Sequence, residues 1–327
     1  MSGTFEYVRA DNVAAAVALV SADPDAQYLA GGTTQVDLLK DGVLNPERLV
    51  DITRLPLRGI TRRGDALVVG SLTTMEELAA EPVLGARATF VRAALLAGAS
   101  TQLRNMATIG GNLMQRTRCR YFRDPTVPEC NKRASGSGCA AISGPARMHA
   151  ILGASKHCIA PHASDLCVAL VALDTLVHVQ GTDGRRTIPL TQFYRVPGDR
   201  PDVENVLAHG ELITAIEIPL LPAGARSEYL KVRDRASYEF ALTSAAVALT
   251  IEDGVIAEAR VALGGIGTFP WRAHAAEEVL SGAGASTSLF RAAADAEIVD
   301  PFTLPGTAFK VELAKRTLVR ALETAAA

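Results

Sequence analysis

Four cysteines, Cys119, Cys130, Cys139 and Cys158, gather in one stretch of a 327-residue chain, spaced C-x10-C-x8-C-x18-C. Four thiolates suit an iron–sulfur cluster or Zn²⁺. The spacing matches neither a common ferredoxin run nor a zinc ribbon. Metal binding, scattered structural cysteines and disulfides therefore all stand as readings of the spacing alone. The surrounding residues, 115–160, are rich in Arg, Gly, Pro and Cys and show little periodicity. A loop this long is uncommon in a compact domain unless it is functional or held by a metal. The fifth cysteine, Cys167, lies in an apolar run and reads as a small buried hydrophobe. His149, His157 and His162 flank the loop, and none is assigned as a ligand, because a lone histidine is usually structural.

Two glycine-bearing turns offer different chemistry. Ala30-Gly31-Gly32-Thr33-Thr34-Gln35 has no side chain at its centre and two hydroxyls beside it. A phosphate approached by backbone N–H groups needs that bareness, and a following helix N-terminus adds favourable partial charge. The pattern is neither the Rossmann nor the Walker fingerprint, and paired glycines are also plain turns. Thr108-Ile109-Gly110-Gly111-Asn112 repeats the theme, with a strand ended by a glycine bulge as its plain reading. Together the turns could cradle the two phosphates of a dinucleotide, but spacing does not show that they meet.

Asp165, in Pro161-His162-Ala163-Ser164-Asp165-Leu166, can cap a helix or accept a sugar hydroxyl. Arg116, Arg118, Arg120 and Arg123 read either as a solvated loop or as a hold on an anionic cofactor. No Ser–His–Asp order, zincin motif or carboxylate pair stands out. That absence favours electron transfer over chemistry on a bulky substrate.

Elements must position these residues. A helix is predicted over residues 11–20, capped by Asp11, then an apolar approach at 27–30, a helix at 34–40 and a strand at 49–52. This unit makes a small α/β subdomain. A strand at 66–70, a capped helix start at 71–78 and one helix over 88–103 follow. Regular structure resumes at 164–174, with strands at 176–179, 187–190 and 212–219. A linker is read at 221–225. Strands at 229–232, 245–251 and 256–263 come next, the last two joined by Asp253-Gly254, a strong hairpin signal. Helices at 272–280, 286–294 and 309–324 close the chain. Domains are expected at 1–222, divided into 1–57 and 58–222, and at 223–327.

Hydrophobic residues make up 48% of the chain, charged residues 21%, and the net charge is −2, so nothing marks a nucleic-acid scaffold or an anionic membrane surface. No charged-then-apolar start is seen, so the expectation is a soluble chain with no export signal of its own. It would be cytoplasmic, or periplasmic if carried by a signal-bearing partner. The odd cysteine count argues against a disulfide framework.

AGGTTQVDLLK (30–40), ATIGGNL (107–113), SDL (164–166), LITAIEIP (212–219), YLKVRDR (229–235) and VALGGIGTFPWRA (261–273) occur in an order that resembles the FAD-binding medium subunit of the xanthine dehydrogenase family of molybdenum hydroxylases. The likeness spans nearly the whole chain. Many members carry Pro where Ala163 stands. The cysteine loop resembles the periplasmic aldehyde oxidoreductase branch, whose FAD subunit holds an additional [4Fe–4S] cluster. The resemblance implies an α+β fold. Its FAD-binding domain has two parts, a small α/β subdomain and a mixed or antiparallel sheet, and a C-terminal three-stranded antiparallel sheet with helices follows. It implies Ala30, Gly31, Gly32, Thr33, Thr34 and Gln35 at the phosphates, with Leu29 as an adjacent backbone contact. Ala107, Thr108, Gly111 and Asn112 would form the second wall. Asp165 would meet the ribityl or ribose region, Ile213 and Lys231 would lie near the isoalloxazine, and the four cysteines would hold the cluster. A large molybdenum-cofactor subunit, a small subunit with two [2Fe–2S] clusters and an external electron acceptor are the implied partners. A 4-hydroxybenzoyl-CoA reductase-like subunit, a stand-alone flavin oxidase and a zinc-stapled module without redox function are the other readings.

Overall fold

The computed structural model describes residues 4–327. The first three residues of the start read as signal-free lie outside it.

Three short strands, β1 (Glu6–Arg9), β2 (Ala26–Leu29) and β3 (Arg48–Asp51), form a parallel sheet in the order β1-β3-β2. The crossover helix α1 (Val13–Ser21) is capped by Asn12, whose side chain accepts from the Ala15 amide, and not by Asp11. Asn12 holds the extended backbone that a capping residue needs. After β2 the chain turns through Gly31-Gly32 into α2 (Gln35–Lys40), which ends before Gly42.

The second sheet is antiparallel, ordered β4-β5-β8-β6-β7. Its strands are β4 (Ile60–Arg63), β5 (Ala66–Gly70), β6 (Leu176–Gly181), β7 (Gly184–Pro189) and β8 (Leu212–Pro219). Between β5 and β6 lie α3 (Met75–Ala79), α4 (Pro82–Arg87), α5 (Thr89–Ala97), α6 (Thr101–Arg104), α7 (Ile109–Leu113), α8 (Arg120–Arg123), α9 (Ala140–Ser143) and α10 (Asp165–Ala172). Thr74 and Glu77 close a capping box at α3. All eight residues of α10 are buried. Each fully buried Leu or Val there contributes about 1.5–3 kcal/mol.

The single helix predicted over 88–103 is two. Gly98 leaves the helix extended and Ala99 takes φ 53°, so α5 and α6 are separate. The Arg104 guanidinium fills the break, donating to the carbonyls of Gly98 (3.3 Å) and Ala99 (3.4 Å) and to Glu76 (2.8 Å). A left-handed alanine costs about 1–2 kcal/mol. Ala99→Gly is therefore expected to raise the melting temperature, and calorimetry showing an unchanged or lower value would refute the strain.

The third sheet contains β9 (Arg226–Val232), β10 (Thr243–Glu252), β11 (Val255–Gly264) and β12 (Trp271–Arg272), all antiparallel. It has four strands and not the three expected, because two residues of the segment before the helix pair with β11. Asp253 (φ 50°) and Gly254 (φ 80°) make the predicted hairpin turn. The helices α11 (His274–Leu280), α12 (Thr287–Glu297) and α13 (Phe309–Ala326) cover one face. The other face meets α5 and α10, so Ala246, Ala248 and Ala262 belong to the same core as the second sheet. No helix among the described residues is long and apolar enough to cross a membrane.

Candidate functional site

The two glycine turns meet. A Cβ on Gly31 would stand 1.8 Å from the Met106 carbonyl oxygen, and the Ala107 Cα would lie 3.5 Å from it. Only a residue without a side chain lets these two backbones touch. The second turn opens a short helix and is not a strand with a bulge. Thr108 accepts from the Gly111 amide at 3.2 Å, while Gly110 donates to the Ser71 carbonyl at 2.8 Å.

Two cavities flank this contact. The larger, about 560 Å³, is lined by Ala30 to Gln35 on one side and by Thr108, Gly110 and Gly111 on another. Its far wall runs from Asp202 to Ile213. The smaller, about 280 Å³, is lined by Ala107, Gly111, Asn112, Asp165 and Lys231. Thr33, Thr34 and Gly111 line both, so the cavities form one bent cleft with the glycine turns at its waist. Its size is that of a site for a large cofactor. Thr34 precedes α2 without capping it, which leaves its hydroxyl uncommitted, and Gln35 instead donates to Gln27. Because α2 has only six residues, the backbone N–H groups of the turn matter more than a helix dipole.

At the smaller end lies a buried polar knot. Ser164, and not Asp165, caps α10, accepting from the Cys167 amide at 3.0 Å and donating to Asn112 Oδ1 at 2.5 Å. The Asp165 carboxylate accepts from Lys231 Nζ at 2.8 Å and from the Tyr229 hydroxyl at 2.6 Å. Lys231 also donates to the Ala97 carbonyl at 3.1 Å. Both charges are nearly buried, at 6% and 9% exposed. Burial, and secondarily the Asp165 charge, pushes the Tyr229 hydroxyl well above the usual phenol range, so it stays a donor.

Leu29 ends β2, packs beside Gly32 and accepts from the Ile52 amide at 3.0 Å. Ile213 and Lys231, expected together at one ring, line different cavities of the cleft, Ile213 the larger and Lys231 the smaller. They belong to different sheets, and nothing in their local sequence records that. Tyr229 was missed, although it stands two residues before Lys231 on β9 and so shares its face. The wall from Asp202 to Leu212 was also missed, since its irregular part carries no motif. Of the arginines, Arg116 pairs with Glu204 at 2.5 Å and lines the larger cavity. Arg118 pairs with Asp37 at 2.8 Å and lines the smaller. Arg123 pairs with Asp37 and Asp41.

The cysteine loop is organised by side chain-to-backbone bonds. Asn131 accepts from the Gly138 amide at 2.9 Å and donates to the His157 carbonyl at 2.9 Å. Arg133 donates to the carbonyls of Tyr121, Phe122 and Val127. Cys119, Cys130, Cys139 and Cys158 line one void, with Cys130 paired to Cys139 as an antiparallel bridge. Cys119 and Cys139 precede α8 and α9, and backbone amides of those turns face their sulfurs. The Ala160 amide donates to Cys158 at 3.5 Å. None of the five cysteines is in a disulfide, and Cys167 is fully buried beside the Tyr194 hydroxyl. Among the described residues no group of three His, Cys, Asp or Glu side chains is drawn close enough to hold one metal ion. The four residues line a single void of about 10 Å³, and four thiols are the donor set of an iron–sulfur cluster or of zinc. Burial pushes the Cys119 thiol up to about 12 and raises Cys139 and Cys158 as well. Deprotonated sulfurs would thus need positive charge at the void, and the surrounding amides supply part of it.

The glycine-lined cleft is of a size for a large cofactor, and sequence comparison gives the class of the chain. The family described as "FAD binding domain in molybdopterin dehydrogenase" matches residues 3–221, and the "CO dehydrogenase flavoprotein C-terminal domain" matches 228–325. The chain belongs to the FAD-binding medium subunits of the molybdenum hydroxylases and is an oxidoreductase subunit of the xanthine dehydrogenase family. It is 44% identical to the aldehyde oxidoreductase FAD-binding subunit PaoB of Escherichia coli (strain K12), over 99% of this chain and 98% of that one. It is 28% identical to the carbon monoxide dehydrogenase medium chain of Afipia carboxidovorans, over 99% and 98%. The structure of carbon monoxide dehydrogenase from Hydrogenophaga pseudoflava superposes with a TM-score of 0.78 at 27% identity, over 99% of this chain and 98% of that one.

Proposed function

We propose that this chain is the FAD- and [4Fe–4S]-containing electron-transfer subunit of a heterotrimeric molybdenum-dependent aldehyde oxidoreductase. The observation that carries the reading is the bent cleft with both glycine turns at its waist. The backbone there holds the diphosphate, with the Thr33, Thr34 and Thr108 hydroxyls beside it. Ala30, Gln35 and Ile213 line the end that takes the rest of the dinucleotide. Asn112, Asp165 and Lys231 line the end that takes the flavin ring and its ribityl chain. Bound FAD supplies a carrier that links one-electron clusters to one- or two-electron acceptors. Lys231, held by Asp165 and the Ala97 carbonyl, keeps a fixed positive charge at that end.

Cys119, Cys130, Cys139 and Cys158 are the ligands of the [4Fe–4S] cluster, a reading supported by the shared void and the amides around the sulfurs. Aldehyde chemistry belongs to a large molybdenum-cofactor partner, and a small partner with two [2Fe–2S] clusters delivers the electrons. The full-length likeness to an aldehyde oxidoreductase FAD-binding subunit supports the aldehyde assignment. An external acceptor takes the electrons onward.

Anaerobic purification with release of the flavin and metal analysis tests this. The expected result is FAD, with iron and sulfide at about four each per chain. Cys158→Ser is expected to lose most of the iron while keeping the flavin, because Cys158 lines the void and not the bent cleft. Zinc without flavin would overturn the whole reading. FAD without iron and sulfide would overturn the cluster alone.

A further inference from the structure

Behind Cys119 lies a histidine that the flavin cleft does not use. His149 is 2% exposed, and its Nε2 stands 3.2 Å from the Cys119 sulfur. Its backbone is pinned at both ends. The amide donates to the Ala146 carbonyl at 2.8 Å, and the carbonyl accepts from Lys310 Nζ at 2.8 Å. Lys310 is itself fully buried at the start of α13 and donates also to the Gly265 carbonyl at 2.7 Å. The imidazole ring lies 6.0 Å from the Tyr121 ring, centroid to centroid. A side chain so fixed holds its Nε2 where the sulfur is.

We infer that His149 is a positioning residue for the cluster, donating an Nε2–H···S hydrogen bond to the Cys119 ligand and so raising the potential at which the cluster accepts an electron. The inference rests on the cluster assignment proposed above. Its chemistry is one-sided. A metal-bound cysteinate has no proton, so the imidazole must be the donor. The other ring nitrogen, Nδ1, is buried with no partner among the described residues. A proton there would leave a buried N–H unpaired, which costs more than a bare lone pair. The tautomer with hydrogen on Nε2 is therefore the one this pocket stabilises. Hydrogen bonds to cluster sulfurs withdraw electron density and favour the reduced state, so removing one lowers the potential. Backbone amides already face the same sulfur, and the histidine adds a donor from the opposite element.

The test uses the complete holoprotein. Iron and sulfide analysis of the wild type comes first, since their absence overturns the cluster assignment and the inference that rests on it, whereas the redox titrations test His149 alone. Redox titrations of His149→Leu and His149→Gln follow, monitored by electron paramagnetic resonance for the cluster and by absorbance for the flavin. His149→Leu is expected to shift the cluster midpoint negative and leave the flavin midpoint in place. His149→Gln, which keeps an N–H, is expected to recover part of the shift. A cluster midpoint unmoved in His149→Leu overturns the inference. If that variant assembles no cluster, double-resonance spectra of the reduced wild type in H₂O and D₂O decide. A weakly coupled exchangeable proton that labelled histidine assigns to the imidazole supports the hydrogen bond. A strongly coupled histidine nitrogen, or no such proton, overturns it.

Discussion

Gly31→Ala is expected to cost this chain its flavin. The added methyl would stand 1.8 Å from the Met106 carbonyl oxygen, and both atoms belong to the main-chain framework, so no rotamer relieves the clash. Overpacking of this kind costs about 1–3 kcal/mol and more where the neighbour is stiff. At about 3 kcal/mol the FAD affinity would fall about 100-fold, because the backbones that separate are those proposed to hold the diphosphate. Gly32→Ala makes the contrast. Its φ of 73° costs an alanine about 1–2 kcal/mol, yet the nearest atom is a Val36 methyl at 3.2 Å, which can move. Flavin content after gel filtration, together with thermal unfolding, separates the two. Full flavin and an unchanged melting temperature in Gly31→Ala would show that the turns need not touch.

The second large effect lies at the other end of the cleft. Lys231→Met leaves the buried Asp165 carboxylate with only the Tyr229 hydroxyl as a partner. Removing one member of a buried ion pair typically costs about 3–5 kcal/mol, since the remaining charge is uncompensated. Asp165→Asn combined with Lys231→Met removes both charges and is expected to restore much of the stability. It would not restore the charge at the end proposed to take the flavin ring, so on that reading flavin content should stay below wild type in the double variant even as its melting temperature recovers. Equal melting temperatures for wild type and the single variant would mean that water reaches the pair and screens it. The second site couples stability to binding because Asp165 is a buried residue of α10 and its partner Tyr229 on β9 belongs to the core.

Local chemistry was legible without coordinates. The glycine turns, the Asp253-Gly254 hairpin, the capping threonine of α3 and the apolar α10 all follow from residue type and near-neighbour spacing. The helix break at Ala99 was not read, although Gly98 ends α5 and Ser100 caps α6, because both residues also occur within helices and the Arg104 contacts that hold the break are tertiary. The short β12 escaped for a similar reason, as a two-residue strand exists only through its partner β11.

The sequence by itself determined which residues carry chemistry: bare backbone at Gly31 and Gly111, four thiols in one loop, a carboxylate and an ammonium on separate elements. Residue type sets what an atom can donate, accept or ligate, and that survives in any conformation. Tertiary structure alone decided which of them meet. It joined Gly31 to Met106, paired Asp165 with Lys231, lined one cavity with Ile213 and the other with Lys231, and set His149 behind Cys119. Those contacts link positions far apart along the chain. They arise from the burial of whole sheets and helices against one another, to which no local pattern refers.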